Sequence, residues 1–211
     1  MRFRSSAMNR ILIMLWISTI LFAASLNGQE DPREKLQTAI DSALDAIYSE
    51  CCSHMSVEEK QAEVRRRLEA HYDLDVIIRR AIGRNWGLLE EAEQEKVLEL
   101  VKQLVMKAYV KGLEGKDRPE VILNEMVRIS DKRIEIDSVV TLDGTEVNVT
   151  YRLGRMRSGW QIYDIVAENI SVVSNYRQQI DDHFRRGDGA ELISRLDELL
   201  KKELTNEDLK I

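Results

Sequence analysis

Apolar side chains recur every three to four positions between Arg33 and Glu50. Leu36, Ala39, Ile40, Ala43, Leu44, Ile47 and Tyr48 share one face of the helix this spacing predicts. Pro32 precedes it, where a missing N–H does no harm. Ser56-Val57-Glu58-Glu59 is a capping box and opens a second helix to about Ala70. The apolar stripe of that helix is only Val57, Val64 and Leu68, so it is expected on the surface. Asp73 to Gly83 reads as a short helix, capped by Asp73 and ended by Gly83, with Trp86 filling the corner after it. A longer helix runs from about Glu90 to Leu113, with Val97, Val101, Leu104, Val105, Ala108 and Tyr109 on its core face. Gly112, Gly115 and Pro119 then break the helical pattern.

From Glu120 the apolar period falls to two. Val121-Ile122-Leu123 with Met126-Val127-Arg128-Ile129 forms a first strand, and Ile134, Ile136, Val140 and Leu142 mark a second. Asp143-Gly144 is a hairpin turn signal. Val147, Val149, Tyr151 and Leu153 alternate with polar residues in a third strand, and Trp160 to Ala167 make a fourth. Short turns between four consecutive strands imply an antiparallel meander.

The chain changes from sheet to helix within Trp160–Arg177. Ser171 can cap the new helix, and Val173, Tyr176 and Ile180 then share a face. This helix extends to about Arg186. Gly187-Asp188-Gly189 interrupts it, and a last helix covers about Ala190 to Leu204. Helices, then strands, then two helices is an α+β order: a curved four-stranded antiparallel sheet covered by N-terminal and C-terminal helices.

Composition changes the picture mainly at the N-terminus. Arg2, Arg4 and Arg10 precede an apolar run from Ile11 to Ala24, followed by Ala23, Ala24, Ser25 and Gly28. Basic, then apolar, then small is the order of a secretory signal peptide, expected over residues 1–28, with residues 29–211 a single domain. Removing 1–28 takes away three Arg and no acid, so the net charge of −6 becomes −9. An acidic chain without a Lys/Arg cluster interleaved with aromatics gives no nucleic-acid surface. Arg65-Arg66-Arg67, among Glu58, Glu59, Glu63 and Glu69, reads as a solvated helix face.

Candidate chemistry is sparse. Cys51 and Cys52 are adjacent, and a bond between them would close a strained ring, so a stabilising disulfide is not expected. His54 lies near them, yet the sequence has no second ligand pair to complete a structural zinc site. His54, His71 and His183 belong to no recognisable nucleophile motif. Asp164 stands in an otherwise apolar strand. It is either an acid in a small pocket or a fixture paired with Arg152, Arg177 or backbone N–H groups; the second is the expectation. The apolar positions of sheet, long helix and joint form either a filled core or a lined cavity, and periodicity does not separate the two.

The joint carries a resemblance. Trp160-Gln161-Ile162-Tyr163-Asp164, Ala167-Glu168-Asn169-Ile170-Ser171 and Asn175-Tyr176-Arg177-Gln178-Gln179 resemble the MlaC family of periplasmic phospholipid-binding proteins, also called toluene-tolerance proteins. Ile82-Gly83-Arg84-Asn85-Trp86 is similar to that family's leucine-glycine-x-x-tryptophan corner, and Gly189-Ala190-Glu191-Leu192-Ile193 with Leu196 to its C-terminal helix. Asn169 stands where the family usually has Gly, and Asn is the next most tolerant residue for an unusual backbone angle.

The resemblance implies a non-enzymatic periplasmic carrier. Its cargo would be a phospholipid whose acyl chains fill an apolar cavity between sheet and helices, with no other cofactor and no metal. Its partners would be an inner-membrane ABC transporter complex and an outer-membrane lipoprotein complex, and the carrier itself a monomer. The residues expected to line the cavity are Val105, Tyr109, Val149, Tyr151, Ile162, Ile165, Val173 and Tyr176. The rivals are a small secreted enzyme using Asp164 and a protein-binding adaptor with a filled core.

Overall fold

The computed structural model of the chain describes residues 31–202. The expected signal peptide over 1–28 and the end of the last expected helix lie outside the described residues. Six helices and five strands follow in order: α1 (Pro32–Tyr48), α2 (Val57–Glu69), α3 (Leu74–Ile82), α4 (Glu91–Leu113), β1 (Glu120–Ser130), β2 (Arg133–Leu142), β3 (Thr145–Met156), β4 (Gly159–Ala167), β5 (Ile170–Ser171), α5 (Val172–His183) and α6 (Gly189–Lys201). Short 3-10 turns, Glu50–Cys52 and Gly83–Leu88, join α1 to α2 and α3 to α4.

The sheet is an open antiparallel meander in the order β1-β2-β3-β4-β5. It has one strand more than the four expected. β5 is two residues long and pairs Ser171 with Val166 and Ile170 with Ala167. The turn before it is Glu168-Asn169, with φ of 47° and 66°. Two consecutive positive φ values make the tight hairpin geometry whose twist suits flanking strands. Glu168 is held there twice: its N–H donates to Asn148 O at 3.0 Å, and its carboxylate accepts from Asn148 N–H at 2.7 Å. The Asp143-Gly144 turn joins β2 to β3 as expected, also with positive φ at both residues. Register shifts interrupt β1 between Leu123 and Met126 and between Arg128 and Ser130, and the β3–β4 pair between Arg152 and Leu153. Each such bulge bends its strand and increases the local twist.

Buried side chains form three separate clusters. The first joins Leu36 and Ala39 of α1 to Leu123, Ile134, Ile136, Leu153 and Trp160 of the sheet. The second joins Ile78 and Ile82 of α3, Val97 and Leu98 of α4, and Leu192 of α6. The third joins Ala43 and Ala46 of α1, Val64 of α2, and Met106 and Val110 of α4. α1 therefore packs its first half on the sheet and its second half on α2 and α4. Arg33 pins its start to β1, donating to Leu123 O and Asn124 O beside the first bulge.

The arginine run on α2 differs from expectation. Only Arg66 is solvated, with 68% of its side chain exposed against 18% for Arg67. Arg67 donates to Glu63 at 2.6 Å and to Ser42 O of α1 at 3.0 Å, tying the two helices together. The hydrogen bonds of Arg66, then those of Arg67, hold the Glu63 carboxyl at about 2, below its ordinary 4.5. A carboxyl that is more acidic in the folded chain stabilises the fold above its ordinary value, and the contribution is lost as pH falls through the folded value. Urea unfolding at a series of pH values is thus expected to show Glu63→Gln less stable than the native chain at neutral pH. The two should converge as pH drops from about 4.5 toward about 2. A constant gap would show that the carboxyl does not supply the difference.

Candidate functional site

The ridge Val97, Val101, Val105, Tyr109 runs along α4 at steps of four and winds slowly around it, by about 40° per step. Val97 and Val101 pack into the second cluster, and Tyr109 packs against the third. Val105, between them, falls outside all three clusters and is 47% exposed. A large apolar side chain exposed between residues that pack into clusters marks an interruption in packing.

The sheet carries half-buried apolar positions of its own. Residues paired across an antiparallel ladder point to the same face. Tyr151 is registered with Ile136 on one side and Ile165 on the other, and Val149 with Ser138 and Ala167. Val149, Tyr151 and Ile165 therefore share a face, and Leu153 continues it with its partners Ile134 and Ile162. The Leu153 end is filled by the first cluster, against which Tyr151 and Ile162 pack. Val149 and Ile165 are half-buried and lie outside the clusters.

Tyr109 of α4 and Tyr151 of β3 lie near one another. Burial pushes the Tyr109 phenol well above its ordinary range, with Tyr151 and then Tyr48 adding to the effect. Tyr151 of β3 thus lies within electrostatic reach of Tyr109 on α4. Burial pushes the Tyr151 phenol up to about 12, against a smaller opposing hydrogen bond with Ser138. Both tyrosines keep part of their surface accessible. Tyr176 is the extreme case: 45% of it is exposed, yet burial still raises its phenol.

Val173 and Tyr176 enter from the β4 end of the sheet. The first turn of α5 is anchored by Asp164 of β4, which faces away from its neighbour Ile165 because side chains alternate along a strand. Asp164 is 6% exposed. Its carboxylate accepts from the Ser171 hydroxyl at 2.8 Å, from Val173 N–H at 3.2 Å and from Arg152 at 3.2 Å. Arg152 and a backbone N–H were two of the three expected partners. Arg177, the third, instead donates to Arg80 O of α3. Ser171 caps α5 as expected, accepting from Ser174 N–H at 3.0 Å. The structure thus leaves Tyr109 within electrostatic reach of Tyr151, places Val149, Ile162 and Ile165 on the face of Tyr151 and Val105 one turn from Tyr109, and brings Val173 and Tyr176 in separately.

Two further residues bear on this region, and periodicity singled out only one of them, Tyr48. Ser138 is buried within the shared face and donates to Val149 O at 3.0 Å. Its small polar side chain sits where the alternation called for an apolar one. Tyr48 donates to Asp117 O at 3.1 Å across the end of α4. It was visible as the last apolar position of α1, but its role depends on a contact between distant segments.

Two surface hollows are polar. One of about 400 Å³ lies along α5 between Ser174 and Arg185, and one of about 340 Å³ lies near Tyr72, Lys102 and Gln161. Neither is lined by any of the eight apolar candidates. The candidate site is the interruption between clusters. Among the described residues, no three His, Cys, Asp or Glu side chains converge as a metal site would require.

No curated protein sequence matches the chain. Among solved structures, it is similar to the phospholipid-binding protein from Ralstonia solanacearum, solved in complex with a phospholipid. The likeness has a TM-score of 0.72 at 22% identity and covers 82% of this chain and 98% of that one. A domain of unknown function with a cystatin-like fold from Nostoc punctiforme gives a TM-score of 0.27 at 15% identity, over 52% of this chain and 70% of that one, too slight a likeness to inform the fold. The family described as MlaC protein matches residues 37–198, and the chain belongs to that family.

Proposed function

We propose that this chain is a periplasmic phospholipid carrier. It is exported by the signal peptide over residues 1–28 and works as a monomer between an inner-membrane ABC transporter complex and an outer-membrane lipoprotein complex. The supporting observation is the interrupted apolar ridge: Val105 lies open between two packed clusters, while Tyr109 on the same ridge lies within electrostatic reach of Tyr151. Family membership and the phospholipid in the Ralstonia solanacearum protein support the same reading. The physical need is plain. Exposing acyl chain to water costs about 0.8 kcal/mol per CH₂, so a carrier must cover nearly the whole chain.

The acyl chains occupy the space between α4 and the β3–β4 face, against Val105, Tyr109, Val149, Tyr151, Ile162 and Ile165. Val173 and Tyr176 close its β4 end. Cargo, not catalysis, is the role: the carboxylate of Asp164 is fully engaged in holding β4 to α5. Phospholipid in an organic extract of the purified mature protein is the expected observation, and its absence contradicts the reading.

A further inference from the structure

The α1–α2 corner holds two thiols that the lipid reading does not use. Cys51 is exposed and Cys52 is buried, and their sulfurs are 3.2 Å apart, against about 2.05 Å for a disulfide bond. The two thiols occupy different settings. Cys51 Sγ lies 3.1 Å from the Ser49 hydroxyl. Its hydrogen bonds with Ser49 and then Cys52 draw its titration below the ordinary thiol range, with Arg67 adding to the effect. Cys52 Sγ accepts from Arg67 Nη2 at 3.7 Å, beneath the surface. One sulfur faces solvent; the other is screened from it and aimed at the first.

We propose that Cys51 and Cys52 form a thiol–disulfide exchange site for small disulfides. Cys51 is the attacking sulfur and Cys52 the resolving one. The Cys51 thiolate attacks one sulfur of an external disulfide RSSR. The S–S bond of RSSR breaks, a Cys51–S–S–R bond forms, and the departing RS⁻ takes up the proton that Cys51 released. Cys52 then gives up its proton and attacks the Cys51 sulfur. The Cys51–SR bond breaks, the Cys51–Cys52 bond forms, and the second RS⁻ takes the Cys52 proton. Two thiols lose two electrons in all, and RSSR becomes two RSH.

The product ring spans one peptide bond. Adjacent Cα atoms are about 3.8 Å apart, whereas disulfides usually join Cα atoms about 4.4–6.8 Å apart. The closed form is therefore strained, and strained disulfides are oxidising and readily reduced. This is the property of a reversible site and the reverse of a structural crosslink. The inference is independent of the lipid reading, because its chemistry lies wholly within the α1–α2 corner.

The test is incubation of the full mature protein with excess glutathione disulfide, followed by intact mass measurement. The native chain is expected to lose two hydrogens, keep no glutathione, and return to two thiols with a dithiol reductant. Cys52→Ala should stop at one glutathione bound to Cys51. Cys51→Ala should react on the order of tenfold more slowly or worse, because its remaining thiol is shielded. A native chain that holds glutathione on Cys51 without closing the ring overturns the proposal, as does one that keeps both thiols free.

Discussion

Val105→Asp is expected to strip the protein of lipid while leaving it folded. Val105 is 47% exposed and sits on a surface-accessible stretch of α4. Substitutions at such positions usually change stability by about 0.5 kcal/mol or less. With acyl chains against it, the new carboxylate would lose its water without gaining a partner. That loss costs at least a few kcal/mol, and each 1.4 kcal/mol is tenfold in affinity, so retention should fall on the order of a hundredfold. Val149→Asp reaches the same space from the β3 side and should act in the same direction. Val105→Leu keeps the apolar surface and should keep the lipid. The readout is lipid per protein after purification, beside a urea unfolding curve. A folded Val105→Asp protein with native lipid content would remove α4 from the site.

Asp164→Ala is expected to produce the largest loss of stability, about 2–4 kcal/mol. The carboxylate answers three donors at once: the Ser171 hydroxyl, Val173 N–H and Arg152. Removing it strands a backbone N–H that is buried with Val173 at the first turn of α5. Arg152 contributes less to the loss because it stays partly in water and keeps Glu135 at 2.9 Å. Urea unfolding checks the size, and a change below about 1 kcal/mol would show that the carboxylate is not a fixture. Asp164→Asn separates carrier from enzyme. It keeps part of the hydrogen bonding, so a carrier keeps its lipid, whereas an enzyme depending on this acid loses turnover.

Much of the fold was legible because hydrophobic periodicity reports which face of an element is buried. The periods of 3.6 and 2 placed all six helices and the four long strands. β5 escaped because two residues are too few to show a period. Its turn, Glu168-Asn169, contains no glycine to announce positive φ, though Asn169 hinted at it. Arg67 was misread as solvated because a charge run carries no sign of what stands opposite. Here that is Ser42 O on α1, a contact between segments far apart in sequence.

The candidate site was legible only in outline. The ridge of α4 and the alternation of β3 identified the apolar faces, and the structure placed Tyr109 near Tyr151. No pattern in the chain distinguishes Val105, which lies between clusters, from Val101, which lies within one. The distinction depends on where three clusters of distant residues end. Asp164 shows the opposite case: one acid in an apolar strand was enough to predict a partner, and Arg152 on the adjacent strand supplied it.

The most direct test of the carrier reading is mass spectrometry of an organic extract of the purified mature protein, with lipid counted per chain. Phospholipid is expected to co-purify at a fixed ratio to protein in the native chain and to be lost in Val105→Asp. A folded native protein that carries no phospholipid, and takes none up from phospholipid vesicles after delipidation, would contradict it.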